Sequence, residues 1–410
     1  MNKWIVAQIG RREHYAVPRA LHRRGMVRRL YTDIWCQWGH SVMRQMPVPF
    51  RSFASYYHPE LLSERVTGYT TWAIGKRLRY WLDATESNQR RYQHYIDTGS
   101  GFARRVRADL RRSDDDLDQF VFFGYDTGSL EVLEFLSDTG CYTIVDQIDP
   151  GRTEKEIVLE ETERWPGWAE EVPVLYEPYQ ERRAAEWNLA SAIVVNSEWS
   201  KRALMKQGVS EDKIHVVPLV YESNTSLDEI RKSSNTGKLR VLWLGSVILR
   251  KGIQYLVAAA RKLQDVPVTF DVVGPIGITE EAMASAPSNM NFRGPVPGDQ
   301  VSSFYNSADV FVLPTLSDGF ALTQLEAMAH GLPVIATPNC GRVVTDEVDG
   351  RIVPPRDVDA LVEAIASFVG DRARLKRMSE QARSTSQAYT LDRCAEALLS
   401  IPEKMESISP

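Results

Sequence analysis

Short apolar runs bounded by glycine, aspartate or proline recur along this chain, with helix-spaced stretches between them. Trp4–Ile9, closed by Gly10, reads as a strand, Tyr15–Arg24 as a helix ended by Gly25, and Leu30-Tyr31 as the start of another extended segment. Phe120–Phe123 and Tyr142–Val145 have the length and composition of buried strands, and Ser129–Ser137 between them has helical spacing. Ala192–Val195, the helical Trp199–Gln207 and Ile214–Val217 continue the alternation. Residues 223–238 carry almost no apolar side chains and read as a linker. The pattern then restarts. Strands are expected at Leu239–Leu244, Val268–Val273, Val310–Leu313 and Val334–Ala336, and helices at Ile253–Leu263, Gln300–Tyr305 and Leu322–Ala329. Asp357–Val369 and Arg372–Gln387 read as closing helices, followed by the amphipathic Leu391–Ile401.

Strand–helix alternation of this kind predicts α/β architecture, a parallel sheet with helices on both faces. Two such units are expected: a first domain over 1–222 and a second over 239–387, joined by the linker 223–238 and followed by a crossover helix and tail over 388–410. A length of 410 residues suits two domains better than one core. Facing doubly wound domains bind ligands in the crevice at the carboxyl ends of their strands. Residues 51–109, rich in arginine and aromatic side chains, fit the alternation poorly and are expected to be an inserted helical section.

Composition narrows the class. An apolar share of 43% and a charged share of 25% are those of a globular protein, and no apolar run approaches the ~18 residues of a membrane span. The N-terminal apolar run is too short for a signal peptide, so a cytoplasmic protein is expected. Cys36, Cys141, Cys340 and Cys394 follow no metal-ligand spacing and read as reduced structural thiols. The net charge of −5 conceals an asymmetry: residues 1–112 hold 21 Lys+Arg against 8 Asp+Glu, or +13, which leaves −18 for the rest. This basic front, residues 1–112, suggests that the N-terminal half meets an anionic acceptor or membrane surface, with a solvated arginine-rich face as the plainer alternative. No nucleic-acid partner is expected.

Two segments carry chemistry. In Leu244–Ile253, Gly245 and Ser246 follow a strand, and Arg250 and Lys251 stand just before a helix start. Cations at a helix N-terminus cost roughly 0.3–1 kcal/mol each unless an anion is present, and a diphosphate would supply it. In Val310–Ala329, a buried strand leads through Asp318-Gly319 into a second helix start near Ala321–Thr323. Glu326, one turn in, interrupts an almost wholly apolar helix, where a carboxylate needs hydrogen-bond donors such as ribose hydroxyls.

Asp318–Glu326 resembles the acid-x7-acid motif of retaining family-4 glycosyltransferases, which have the two-Rossmann GT-B fold. The phosphate loop, Gly294-Pro295-Val296, Asp318-Gly319-Phe320, Leu325–Ala329 and Gly331–Thr337 fall in that family's order, so the resemblance covers nearly all of 238–370. The first half is similar more loosely, through Gly10 and Val194–Glu198. The resemblance implies a nucleotide-sugar donor held by Gly10, Gly245, Ser246, Arg250, Lys251, Val296, Pro314, Asp318, Gly319, Phe320, Ala321, Leu322, Thr323 and Glu326. Arg250 and Lys251 would hold the diphosphate, Glu326 the ribose, and Asp318 the transferred sugar, with Val296 and Pro314 near the base.

Three departures from the family stand out. Asp318 replaces the usual Glu, and Ser246 stands where Arg is common, so that Arg250 must substitute for it. The strand Tyr142–Val145 is followed by Asp146-Gln147 in place of the family's His. Asp146, Gln147 or His14 is the candidate for the place facing the reacting carbon.

The family pattern implies hexose transfer with retention of configuration, no metal or other cofactor, and a UDP-sugar before GDP-mannose as donor. The acceptor is expected to be anionic or lipid-linked, at the inner face of a membrane. The rivals are a non-catalytic nucleotide-sugar-binding regulator and a GT-B phosphorylase or epimerase. The Asp114–Asp116 run lies in a polar stretch and reads as a solvated loop rather than a metal motif. A nicotinamide dehydrogenase would need a Gly-x-Gly-x-x-Gly run after the first strand, and none follows Gly10.

Overall fold

The computed structural model of the chain describes residues 2–37, 53–82, 87–222 and 237–406. Most of the expected linker, residues 223–236, lies outside the described residues, as do 51–52 and 83–86 of the expected insertion and the tail 407–410.

The first domain places β1 (Lys3–Gln8), α1 (Ala16–Arg23), β2 (Val27–Thr32) and β3 (Val66–Gly68) ahead of two helices, α2 (Thr70–Leu82) and α3 (Asn88–Arg112). It continues through β4 (Phe120–Tyr125), α4 (Leu130–Leu136), β5 (Tyr142–Gln147), α5 (Arg152–Arg164), α6 (Glu177–Leu189), β6 (Ala192–Val195), α7 (Glu198–Lys206) and β7 (Ile214–Val216). Among the described residues its strands form one seven-stranded sheet in the order β3-β2-β1-β4-β5-β6-β7, with every pair parallel.

The second domain runs β8 (Leu239–Leu244), α8 (Ile253–Lys262), β9 (Val268–Val273), α9 (Glu280–Ala284), β10 (Met290–Gly294), α10 (Val301–Ser307) and β11 (Val310–Leu313). Then come α11 (Thr323–Ala329), β12 (Val334–Ala336), β13 (Gly350–Ile352), α12 (Val358–Ala366) and α13 (Arg372–Ser386). Its sheet is also parallel, in the order β10-β9-β8-β11-β12-β13. Each sheet reverses direction once, between β1 and β4 and between β8 and β11. These switch points are where open α/β sheets take ligands.

Residues 51–109 do more than insert. Val66–Gly68 adds an edge strand beside β2, and the C-terminal half of α3 packs Phe102, Ala103, Val106 and Leu110 against Ile5, Phe122 and Val145 of the sheet. That half of α3 is the crossover helix of an ordinary β3–α3–β4 unit, while Trp72 of α2 packs on the edge of the core and the rest of α2 is largely exposed.

The last helix, α14 (Leu391–Glu406), returns to the first domain. Leu391, Cys394, Ala395, Leu398 and Ile401 join the core built on Trp4, Val6, Ala20 and Leu21, while Arg24, just past the end of α1, bonds Glu396 at 2.9 Å. A second tie runs the other way. Helix α5 lies along the second domain: buried Glu161 accepts from Gln254 at 2.9 Å and from Tyr255 at 2.8 Å, and Arg356 pairs with it at 2.7 Å. The backbone of Trp168, just beyond α5, accepts from Thr279 N–H at 2.9 Å.

Candidate active site

At the end of β8 the chain passes Gly245 and the exposed Ser246 and makes a single 3-10 turn, Leu249–Lys251. Gly252 follows with φ +74, and α8 begins. A Cβ on Gly252 would lie 1.9 Å from the carbonyl oxygen of Pro314, so only glycine lets this loop sit against the end of β11. Leu316 N–H and Thr315 Oγ1 both bond the Arg250 carbonyl, at 2.9 and 3.2 Å. The two segments singled out in the sequence are thereby clamped together at the second domain's switch point.

Their charged groups meet. Lys251 Nζ bonds the Asp318 carboxylate directly. Arg250 reaches across to the first domain, giving Nη1 to Glu154 Oε2 at 3.1 Å and to the Ser317 carbonyl at 2.9 Å. Ser317 Oγ donates to the same Glu154 oxygen at 3.1 Å and accepts from Trp199 Nε1 of the first domain at 3.1 Å. Burial works against the charge on Arg250, but Glu154, Asp318 and Asp149 outweigh it and hold its pKa above the ordinary value. Burial raises the pKa of Glu154, with Arg250 opposing it.

Gly319 was expected to admit a ligand, and its neighbour here is the first domain. A Cβ on it would lie 2.3 Å from the Ile148 carbonyl and 2.9 Å from Asn196 Nδ2. Beyond it Phe320 is buried and Ala321 takes φ +62, a left-handed conformation that costs a non-glycine residue roughly 1–3 kcal/mol. The strain is held by Gln324, whose Nε2 bonds the carbonyls of Phe320 (2.9 Å) and Gly341 (3.2 Å), and by Gly341 N–H on the Phe320 carbonyl (3.0 Å). Leu322 caps α11 without a side-chain bond, so the first-turn amides at Thr323 carry no cap of that kind.

Glu326 is half-buried, and one of its oxygens accepts from the buried Tyr305 hydroxyl at 2.8 Å. Burial first, and the Glu326 charge second, push the Tyr305 pKa well up, which keeps it a donor and fixes the carboxylate. Val296 packs on the same apolar cluster as Leu244, Leu322 and Tyr305, and Pro314 is buried beside Gly252.

The first-domain candidates are less well gathered. Gly10 N–H bonds Asp33 Oδ1 at 2.8 Å. His14 is exposed, in a left-handed turn over Glu13–Tyr15, and its pKa is lowered by partial burial and then by Arg11 and Arg19. Asp146 stands beside Glu13 and Asp126; burial first, then those two carboxylates, push its pKa well up. Neither His14 nor Asp146 is bonded to Arg250, Lys251 or Asp318. Gln147 turns inward, its Oε1 accepting from Trp187 Nε1 at 2.9 Å.

The first domain has its own helix start at its switch point, and it is filled from within. Glu186 accepts from the N–H groups of Thr127, Ser129 and Leu130 at 2.6, 2.9 and 2.9 Å, completing the N-terminus of α4. A side-chain carboxylate thus takes the place where a doubly wound domain would hold a phosphate. In the second domain the start of α11 carries no such side-chain cap. Among the described residues no group of three or more His, Cys, Asp or Glu is arranged to hold a metal ion.

Residues 238–371, the second domain with this site, match the family model described as glycosyl transferases group 1. In this domain the chain is similar to the group 1 glycosyl transferases. It is 28% identical over 236 residues to D-inositol 3-phosphate glycosyltransferase of Xylanimonas cellulosilytica, covering 52% of this chain and 56% of that one. It is 26% identical over 229 residues to MMP alpha-(1->4)-mannosyltransferase of Mycolicibacterium hassiacum, covering 54% and 53%. The chain thus spans about half the length of these curated relatives. Over its whole length the fold is similar to that of sucrose-phosphate synthase from Thermosynechococcus elongatus, with TM-score 0.65 and 17% identity. It is also similar to Anabaena HepE in complex with UDP and glucose, with TM-score 0.59 and 14% identity, and both matches cover 100% of each chain. The two parallel sheets are those of the GT-B fold.

Sequence reasoning missed Glu154, Trp199, Gln324 and Asn339, which position this site. Asn339 supports the Asp318 loop through its carbonyl to Asp318 N–H and its Nδ2 to the Leu316 carbonyl, each at 2.9 Å. The one available signal was Gln324, a buried amide on an otherwise apolar helix face.

Proposed function

We infer that this protein transfers a hexose from a nucleoside diphosphate sugar, with UDP as the carrier, to a hydroxyl acceptor, with retention of configuration and without a metal ion. The observation that carries the reading is the convergence of Arg250 and Lys251 on the Asp318–Gly319 loop within a group 1 domain. Two fixed cations at a strand end offer a departing diphosphate the charge that a metal would otherwise supply. The diphosphate would compete with Asp318 and Glu154 for them, releasing Asp318 toward the sugar hydroxyls. Glu326, with one oxygen held by Tyr305, would take the ribose through the other.

In the transfer step the bond from the sugar's anomeric carbon to the diphosphate oxygen breaks. The acceptor oxygen bonds to that carbon on the same face, and its proton passes to the leaving diphosphate. UDP is favoured because HepE, of the same fold, is described in complex with UDP and glucose. An anionic acceptor at a membrane surface is favoured by the +13 balance over residues 1–112 and by the exposed apolar residues of α2.

Purified protein in excess EDTA, given UDP-, GDP- and ADP-hexoses, should release the nucleotide from the UDP donor fastest. Proton NMR of the first-formed product should give the donor's anomeric configuration. Turnover only after magnesium or manganese is added, or an inverted anomer, overturns this reading.

A further inference from the structure

The geometry points to Asp149 as the first-domain carboxylate that orients the incoming acceptor hydroxyl, with the cavity beside it as the seat of a sugar-sized, hydroxyl-rich acceptor unit. The inference rests on the glycosyl-transfer reading above and gives the place facing the reacting carbon, for which the sequence offered Asp146, Gln147 or His14, to a residue three positions beyond Asp146.

A cavity of about 430 Å3 opens at the carboxyl ends of β1 and β4, the first domain's switch point. The rings of Trp72, Tyr95 and Tyr179 line it, with Lys76, Thr98 and Asp149 among its polar groups. Flat aromatic faces with hydrogen-bonding groups between them suit a sugar ring, which has an apolar C–H face and a polar rim.

The cavity ends at the donor site. Ile148 lines it together with Asp149, and the Ile148 carbonyl is the group that abuts Gly319, the residue after Asp318. The wall of the acceptor cavity and the sugar-binding loop are therefore one chain segment apart.

Asp149 is built to hold its place and keep a free face. Arg183, itself buried, bonds Asp149 Oδ1, and Gly151 N–H donates to the same oxygen at 2.8 Å. Asp126 shares that arginine but has a side chain only 6% exposed, whereas the Asp149 side chain is 43% exposed. Asp126 is thus a structural counter-ion, and Asp149 is a counter-ion with an oxygen open to the cavity. Burial works to raise the Asp149 pKa, and Arg183 and the Gly151 N–H overcome it and hold it below the usual carboxylate range. The open oxygen accepts a hydrogen bond from the bound acceptor hydroxyl and so turns the hydroxyl's lone pair toward the anomeric carbon. As the bond to that carbon forms and the carbon–diphosphate bond breaks, the hydroxyl's one proton leaves Asp149 and goes to the departing diphosphate oxygen.

The test uses the full chain and whichever of UDP-, GDP- and ADP-hexose the unaltered protein turns over, with water and added methyl glucoside as acceptors. Asp149→Asn should lower kcat at least 100-fold for both acceptors while nucleotide affinity by calorimetry stays within threefold. It should also lose the acid limb of the pH–rate profile. Asp149→Glu keeps the charge for Arg183, so it should melt with the unaltered protein yet run at least tenfold slower, because its oxygen is displaced by a methylene. An unaltered rate in either variant overturns the inference. So does a fall in nucleotide affinity and melting temperature that tracks the fall in rate, which would make Asp149 a structural member of the Arg183 cluster. If the unaltered protein turns over none of the donors, it is the glycosyl-transfer reading that fails, and the comparison tells the two failures apart.

Discussion

Arg250 of the second domain gives its guanidinium to Glu154 of the first, Nη1 to Oε2 at 3.1 Å, on the loop that also carries Lys251. The cation best placed for a diphosphate therefore also ties the two domains together. Ser317, bonded to Glu154 from one side and to Trp199 from the other, closes the same knot. Donor binding and domain closure share these atoms, so a change at Glu154 must move both.

Glu154→Gln removes the competitor and leaves Arg250 largely buried without its counter-charge. Burying an unpaired charge is costly, so the melting temperature should fall. The diphosphate would then supply the missing charge, and UDP should bind about 3- to 10-fold more tightly, or roughly 1 kcal/mol. The stabilisation by saturating UDP should be correspondingly larger than in the unaltered protein. Calorimetry and thermal melts with and without UDP measure both. Weaker UDP binding would mean that Glu154 positions Arg250 for the donor instead of competing for it.

Lys251→Ala and Glu326→Ala should each weaken bare-nucleotide binding by about 1.5–3 kcal/mol, the usual range for a charged hydrogen bond. Asp318→Ala should behave differently, because Asp318 is bonded to Lys251 and its removal frees the ammonium. Nucleotide affinity should hold or improve while turnover collapses. Equal losses of UDP affinity in all three variants would assign Asp318 to the nucleotide rather than to the sugar.

The second domain was the more legible half. Leu239–Leu244, Val268–Val273, Val310–Leu313 and Val334–Ala336 are strands at the bounds their apolar runs set, since central strands of a parallel sheet are buried on both faces. Met290–Gly294 and Gly350–Ile352 were missed because they are edge strands, with Asn291, Arg293 and Arg351 breaking the apolar run. In the first domain, α5 and α6 escaped notice for another reason. Glu154, Glu161, Arg183 and Glu186 read as surface charge, yet each is buried against a partner distant in sequence.

Several of the first domain's arginines have carboxylate partners that their sequence clusters do not show. Arg19 and Arg23 are paired with Glu60 and Glu222, Arg24 with Asp392 and Glu396, Arg28 with Asp115, and Arg91 with Glu171. A charge imbalance along the chain is partly neutralised in space.

Stability should fall as the pH rises from about 5 to 7.5. Burial pushes Glu186 up to about 7 from an ordinary 4.5, against the backbone N–H groups that favour its charge. Between those values the folded protein binds more protons than the unfolded chain, so the unfolding free energy declines with rising pH and levels off above the folded pKa. Taken whole, the shift is worth on the order of 3 kcal/mol. Asp126, Asp146 and Glu154 are raised by burial and act in the same direction, while His14, His58 and His94, lowered by burial first, oppose it below about 6.5. Melting temperatures across this range should drop, and Glu186→Gln should flatten the drop while costing about 1 kcal/mol at the acid end for a poorer fit to three donors. A curve that rises through this window would show that Glu186 stays ionised in the fold.

The first domain should bind anionic lipid through α2. Ile74, Leu78 and Trp81 recur at helical spacing on this helix and are exposed, Trp81 by 77%, and Leu82 extends the apolar end. Lys76 and Arg79 stand among them with no carboxylate partner among the described residues, unlike the paired arginines of α1 and β2. An apolar stripe flanked by unpaired cations lies favourably at the boundary of headgroups and acyl chains. Each cation near an anionic surface adds about 1 kcal/mol, and a buried tryptophan anchors the interface. The protein should therefore pellet with vesicles containing phosphatidylserine or phosphatidylglycerol and not with purely zwitterionic ones, and high salt should release most of it. Leu78→Ser combined with Trp81→Ser should abolish pelleting while leaving UDP affinity intact, because neither side chain lines the cavity that ends at the donor site. Arg79→Ser alone should lower vesicle affinity severalfold and reduce its salt dependence. Pelleting that survives the double substitution would move the contact to another face of the first domain, and pelleting indifferent to lipid charge would remove the cations from the account.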